Sequence, residues 1–379
     1  MSEKKFRMHV LESFGASAEV AEELYSYNEN RFQQIPDSEI GMRDEPFIDA
    51  WDEYLKESIE KGVFECLKEK LVQFNFPIRK GISSTENYKS ATRKGDPIAE
   101  MEDATGLVLV CPEKLQFVLH QSPAGRIPLI ITGHRDDFVS ILRSICKKNE
   151  PEPIPDTTGA MIIGGYNNWD RVRRYRKQWE MQKTDSNSAI AWKEEFSNLI
   201  PQKKLYQDRF IILSDGPYSG LSSVDMGMEE QEWKDTSLII RQEHECTHYV
   251  TKRLFSSMQN NLYDELLADY MGIVTAAGRF RADWFLRFMG LEGFPDVQMV
   301  GRFSDYRGDP PLSDDAFEIL KRLVISAAKN LERIDNTLSA KMGALFDKNK
   351  MLITLTSFSL EDLVSNETDT RLIKSFEND

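Results

Sequence analysis

The chain is poor in histidine and cysteine and has no long apolar run, and each scarcity excludes a class of protein. Its four cysteines lie far apart with no redox C-x-x-C pair, so we interpret them as reduced core thiols. No stretch approaches about 18 consecutive apolar residues, which excludes a predicted membrane span. The N-terminus has no signal-peptide core. We therefore expect a cytoplasmic protein that does not have a membrane as its partner.

The charge balance argues against nucleic acid as a general partner. The chain carries 48 Lys and Arg against 62 Asp and Glu, a formal net charge of −14. Phosphate neutralisation needs a basic surface instead. One segment, 171–179, is rich in basic residues, and its apolar residues recur at helical spacing. We interpret it as an amphipathic helix with a solvated basic face; a local anion-binding patch is the alternative.

With 379 residues the chain is long enough for two domains. The proline-rich segment 149–159 is the clearest linker. The predicted domains are therefore a mixed α/β N-terminal region of unknown role, 1–150, and a second domain, 151–379. The predicted fold class is α+β. Hydrophobic patterning predicts strands at 106–111, 115–120, 127–133 and 210–213, and helices at 262–277, 281–289, 314–340 and 358–376.

Two of the five histidines lie four positions apart in "RQEHECTHYV", 241–250. On a helix His244 and His248 project side by side, and two imidazoles at this spacing can bind one tetrahedral Zn²⁺. Glu245 follows the first histidine, where it can reach an attacking water without being a ligand. This is the H-E-x-x-H arrangement, in which the glutamate is the general base.

The segment "NLYDELLADYMGIV" supplies a second pair of side chains at helical spacing. Glu265 and Asp269 are i and i+4, so they lie on one face of a helix. If this helix crosses the first, Glu265 becomes the third ligand that a zinc site needs. Asp269, one turn further along, can accept the N–H of a ligating histidine. Cys246 we interpret as a buried thiol and not as a fourth ligand.

H-E-x-x-H followed by E-x-x-x-D resembles the gluzincin metallopeptidases, the thermolysin-like group, over about 35 to 60 residues. By matching positions, the resemblance implies that His244, His248 and Glu265 are zinc ligands. It implies that Glu245 is the general base and that Asp269 supports a ligating histidine. The implied fold is a zincin-like catalytic domain with an active-site helix and a mostly helical C-terminal part. The implied activity is zinc-dependent hydrolysis of peptide bonds in a peptide or protein substrate.

The chain departs from this family at the residue that stabilises the oxyanion, which is often a downstream His or Tyr. No histidine follows His248. Tyr306, in a polar loop, is the best candidate, and Arg302, Tyr263 and Tyr270 are its rivals. Because this partner is not identified, two alternatives remain open: a non-proteolytic zincin-like binding or regulatory protein, and a zinc hydrolase of non-peptide substrates.

In zincins, a strand that precedes the active-site helix offers its edge to an extended peptide. The segment "RFIILSDG", 209–216, has this place in the chain order. A substrate-binding edge strand and an ordinary core strand are both compatible with its sequence.

Overall fold

A computed structural model of the chain describes residues 2–32, 44–182, 188–257, 261–295, 301–365 and 368–378. The fold class is α+β, as predicted, with one small sheet and many helices. The strands are β1 (Gln116–Ser122), β2 (Gly125–Thr132), β3 (Ala160–Asn167) and β4 (Gln207–Ser214). The helices are α1 (Glu3–Ser13), α2 (Ala18–Tyr27), α3 (Ile48–Lys61), α4 (Val63–Lys70), α5 (Glu86–Lys94), α6 (Arg135–Cys146), α7 (Trp169–Gln182), α8 (Ser188–Leu199), α9 (Ser223–Met226), α10 (Glu230–Phe255), α11 (Leu262–Ala277), α12 (Ala282–Met289), α13 (Asp314–Met342), α14 (Lys348–Thr356), α15 (Leu360–Leu363) and α16 (Thr368–Asn378). Within the described ranges, no helix has the combined length and apolar character needed to cross a membrane.

The chain divides into two compact units, but not at the predicted place. One unit combines Met1–Gly41 with Pro217–Asp379, and the other is Met42–Gly216. The boundary predicted at residue 150 falls inside the second unit. β2 and β4 lie on either side of that position in sequence, yet they pair in parallel within one sheet. The proline-rich segment is therefore a connection within a unit, because strand pairing across it outweighs its linker-like composition.

The sheet of the second unit has the order β1-β2-β4-β3. β4 is parallel to β2 and antiparallel to β3, so it is hydrogen-bonded along both edges. Of the two roles left open for 209–216, the structure shows the core strand and not the peptide-binding edge, because an added peptide strand needs free backbone groups. Phe117, Ile130, Phe210 and Ile212 of the sheet pack with Trp51 of α3 in one buried cluster.

The segment 106–111, predicted as a strand, belongs to no ladder of the sheet. Leu107 and Leu109 are buried while Val108 and Val110 are exposed, which is the alternation that suggested a strand. Its backbone bonds are instead made elsewhere. Leu107 N donates to the Phe74 carbonyl, and Val110 N donates to a carboxylate side chain. Alternating burial therefore indicates an extended conformation in this segment, but it does not show that the segment pairs in a sheet.

The basic segment 171–179 lies in α7, and several of its charges are paired. Arg171 binds the buried carboxylate of Asp208, and Arg174 binds Asp170. Arg176 pairs with an acidic neighbour one turn along the helix. Pairing of this kind weakens the local positive field, which favours the solvated amphipathic helix over an anion-binding patch.

α10 and α11, both in the first unit, approach each other closely. α11 has the predicted bounds, and Asn261 caps it by accepting from the backbone N–H groups of Tyr263 and Asp264. Gly272 of α11 lies against the backbone of Ile240 of α10. A Cβ atom at Gly272 would be 2.8 Å from the Ile240 carbonyl oxygen. The glycine therefore sets how closely the two helices can pack.

Gly272→Ala is expected to lower the free energy of unfolding by about 1–3 kcal/mol, because the helices must separate to admit the methyl group. This loss exceeds the gain in helix propensity, which is at most about 1 kcal/mol. Denaturant unfolding measures the change. Gly164→Ala is the control, since a Cβ there meets nothing within 4 Å, and its effect is expected to stay within about 0.5 kcal/mol. A Gly272→Ala protein as stable as the wild type would contradict the packing argument.

Candidate metal centre

α10 and α11 together bring three potential metal ligands to one place. His244 and His248 lie on α10 and Glu265 on α11, and the three residues are 5%, 4% and 3% exposed. The two Nε2 atoms are 3.1 Å apart. Glu265 Oε2 is 3.5 Å from His244 Nε2, and Glu265 Oε1 is 3.4 Å from His248 Nε2.

These distances fit a tetrahedral metal ion. With metal–ligand bonds of about 2.0–2.1 Å, neighbouring ligand atoms of a tetrahedron are about 3.3–3.4 Å apart. Two imidazole nitrogens that face each other at 3.1 Å also need a shared cation or proton between their lone pairs. Among the residues that the structure describes, no fourth His, Cys, Asp or Glu joins the cluster. The cluster therefore offers three of the four ligands of a tetrahedral ion.

A carboxylate lies behind each histidine. Asp269 Oδ1 is 2.8 Å from His244 Nδ1, and Asp264 Oδ2 is 3.4 Å from His248 Nδ1. The hydrogen bond to Asp269 orients the His244 imidazole so that its Nε2 faces the ligand cluster. Asp264 lies beside His248 Nδ1 without making a hydrogen bond to it. Sequence reasoning assigned the orienting function to Asp269 and overlooked Asp264. Its position next to Glu265 on the same helix was the available signal.

Arg302 connects two of these acidic side chains. Its guanidinium donates to Asp269 Oδ2 and lies 3.5 Å from Glu265 Oε2. Burial opposes ionisation of both carboxyls, but the nearby cations prevail and the pKa of each is below its usual value. For Glu265 those cations include the His248 imidazole as well as Arg302. When both imidazoles are neutral, as metal ligands must be, the buried carboxylates of Glu265, Asp269 and Asp264 face one guanidinium, a formal charge of −2. A divalent cation would neutralise that charge, which agrees with the donor geometry.

Tyr218 is a second residue of the centre, besides Asp264, that sequence reasoning missed. It belongs to a short turn, Tyr218–Gly220, between β4 and α9. Its Oη donates to Asp269 Oδ1 at 2.6 Å and lies 2.9 Å from His244 Nδ1. Burial raises the pKa of Tyr218 well above its usual value, so the side chain is a phenol. The loop composition alone carried no signal for this contact.

Tyr306 and Arg302, two of the candidates for the oxyanion partner, lie at the cluster. Both belong to the short 3₁₀ helix Arg302–Tyr306. Burial, then the negative charge of Glu265, raises the pKa of Tyr306. The Tyr306 carbonyl accepts a hydrogen bond of 2.7 Å from Tyr27 of α2, which holds this turn in place.

The other two candidates bond to groups outside the cluster. Tyr263 Oη donates to the Leu355 carbonyl at 2.5 Å. Tyr270 Oη donates to Asp335 Oδ1 at 2.6 Å, and burial raises the pKa of Tyr270 well above its usual value. Each hydroxyl therefore has a structural partner of its own.

Comparison with protein families identifies a family that covers most of the chain. The model of DUF7005, a family of unknown function, matches residues 9–367. The chain belongs to this family. Comparison with curated proteins and with solved structures gives no match. The matched span contains α10, α11 and the 302–306 turn, so every residue of the candidate centre lies within the DUF7005 region.

Glu245 and Cys246 are two of the three residues of α10 that separate the histidines of this DUF7005 protein. Glu245 is half-buried, one position after His244 on a continuous helix. Cys246 is buried, and burial raises the pKa of its thiol well above its usual value. Cys246 is not a member of the cluster of potential ligand atoms, which consists of His244, His248 and Glu265. The sequence-based interpretation of Cys246 as a buried thiol agrees with this environment.

Proposed function

We propose that the protein is a zinc metallopeptidase whose metal is held by His244, His248 and Glu265. The observation that carries the proposal is the convergence of two Nε2 atoms and one carboxylate at 3.1–3.5 Å, the spacing of a tetrahedral site. Two nitrogen ligands and one carboxylate, with an open fourth position, are typical of catalytic zinc sites. A structural zinc site would be closed by a fourth side chain instead.

Each nearby side chain has a role in this proposal. Bound zinc supplies Lewis-acid polarisation of the scissile carbonyl group. Glu245 accepts the proton of the attacking water and transfers it to the leaving amine. Tyr306 donates a hydrogen bond to the developing oxyanion. Asp269 keeps the His244 imidazole oriented toward the metal, and the negative charge of Asp264 lies beside Nδ1 of His248.

The peptide substrate is proposed from the resemblance to gluzincins, and the metal site is supported by the geometry described above. The acidic chain, with its net charge of −14, gives no support for nucleic acid as a substrate or partner. A peptide or protein substrate is therefore the first class to test.

The test is metal analysis of the purified chain together with a peptide-library digest. We expect one zinc ion per chain and peptide cleavage that a chelator abolishes and added zinc restores. Absence of stoichiometric zinc would overturn the proposal. Zinc binding with cleavage of acylated small molecules only would identify a non-peptide hydrolase, and zinc binding without hydrolysis would identify a binding or regulatory protein.

A further inference from the structure

The turn that carries Tyr218 is anchored to the same helix face that carries the metal ligands. Tyr218 N–H donates to Ser237 Oγ at 3.0 Å. Arg241 Nη2 donates to the Pro217 carbonyl at 2.9 Å. Ser237, Arg241 and His244 are spaced i, i+4 and i+7 on α10, so they share one face. These two hydrogen bonds therefore fix the position of the Tyr218 side chain relative to His244.

The hydrogen-bond network around this phenol determines the tautomer of His244. Tyr218 gives its one proton to Asp269 Oδ1, which leaves its oxygen as an acceptor 2.9 Å from His244 Nδ1. The other neighbour of Nδ1 is Asp269 Oδ1, at 2.8 Å, which also accepts. With two acceptors facing it, Nδ1 carries the hydrogen, and the lone pair is on Nε2.

The Arg302 guanidinium contacts both Asp269 and Tyr218. Arg302 donates to Asp269 Oδ2 and lies 5.1 Å from the centre of the Tyr218 ring, a cation–π distance. Both oxygens of Asp269 are therefore occupied, Oδ1 by Tyr218 and His244 and Oδ2 by Arg302. The carboxylate has little freedom to rotate away from the histidine.

We propose that Tyr218 is a positioning residue of the metal centre. It acts through His244 and Asp269: it holds the carboxylate in place and presents a second acceptor to Nδ1, which directs the Nε2 lone pair at the metal. This inference rests on the metal-binding part of the proposed function and is independent of whether the substrate is a peptide.

The test is the zinc affinity of Tyr218→Phe, measured by competition with a chromogenic chelator. Loss of an outer partner of a ligating histidine weakens metal binding by about 10–100-fold, and we expect a loss near the lower end because Asp269 remains. When Tyr218→Phe is added to Asp269→Asn, we expect little further loss of zinc affinity. The double variant should bind zinc within about twofold of Asp269→Asn, because the two residues act on one histidine.

Tyr270→Phe is a matched control for the loss of a buried tyrosine hydroxyl. It also removes a 2.6 Å hydrogen bond from a buried tyrosine to a buried aspartate, but that aspartate is Asp335, which is outside the ligand cluster. We expect it to lower the thermal stability of the metal-free protein and to leave zinc affinity unchanged. The visible absorption spectrum of the Co²⁺-substituted protein should change in Tyr218→Phe and not in Tyr270→Phe, because it reports ligand geometry and not global stability.

Ser237→Ala keeps the phenol but removes the anchor of its turn, and we expect a smaller loss of zinc affinity, about two- to fivefold. The inference is overturned if Tyr218→Phe binds zinc as the wild type does, or if its effect and that of Asp269→Asn are additive. It is also overturned if Tyr270→Phe weakens binding equally. A wild-type protein that binds no zinc would instead refute the metal centre itself, so the two failures are distinguishable.

Discussion

Glu265→Ala is expected to abolish stoichiometric zinc binding. Glu265 is the ligand that joins α11 to the two histidines of α10, and its carboxylate lies within 3.5 Å of both Nε2 atoms. Two imidazoles alone leave the ion with half of its tetrahedral ligands. Metal analysis after dialysis measures the loss directly.

Thermal unfolding gives a second measure of the same variant. A ligand that binds only the folded state stabilises it by about 4 kcal/mol at a thousandfold excess over its dissociation constant. A chelator should therefore lower the melting temperature of the wild type. The melting temperature of Glu265→Ala should respond neither to a chelator nor to added zinc, because no site remains.

The control for this variant is Asp335→Ala. Asp335 is also a fully buried carboxylate, and it accepts from Tyr270 Oη and from the Phe280 backbone. Its loss should destabilise the fold by about 1–3 kcal/mol, because it leaves those donors unpaired, yet the protein should keep one zinc ion. Zinc retained by Glu265→Ala, or lost equally from both variants, would show that Glu265 is not a ligand.

Glu245→Gln is expected to bind zinc as tightly as the wild type and to lose hydrolysis. The amide has the shape of the carboxylate but cannot accept the proton of the attacking water. General-base catalysis contributes about 10²–10⁴-fold to rate, so kcat should fall by that factor while zinc content stays at one per chain. Steady-state kinetics on a peptide identified by the library digest, with metal analysis of the same sample, measures both quantities.

Glu243→Gln is the matched control for this second prediction. Glu243 lies on the same helix two positions earlier, and its carboxylate is 3.4 Å from Lys348 Nζ of α14. It should keep both zinc and activity. Unchanged hydrolysis in Glu245→Gln would remove Glu245 from the mechanism. A similar loss in the two variants would attribute the effect to the charge of α10 and not to proton transfer.

The sequence was most informative where the relevant spacing is local. A pair at i and i+4 on a helix must share a face, so His244 with His248, and Glu265 with Asp269, were recognisable from their spacing alone. The bounds of α11 followed from the same periodicity. The α+β class also followed, because strand and helix periods differ and can be counted along the chain.

Pairing between distant segments was not recognisable in this way. The segment 149–159 has the composition of a domain linker, but β2 and β4 pair across it. The segment 209–216 reads equally well as an edge or a central strand, and only its two neighbours, β2 and β3, decide that it is central. Strand order depends on contacts between residues far apart in sequence, and composition does not encode those contacts.

By itself, the sequence determined which residue types are available for a metal centre and which of them share a helix face. The tertiary structure decided what surrounds them. Tyr218 comes from a turn after the sheet unit and Arg302 from a turn after α12, and both bind Asp269 only because the chain folds back there. The close approach of α10 to α11 depends on Gly272, because a side chain there would collide with the Ile240 backbone. This contact is visible only in the folded structure. Helical spacing depends only on residues close together in the sequence. The second hydrogen-bond acceptor at His244, Tyr218 Oη, comes close to it only when the chain is packed.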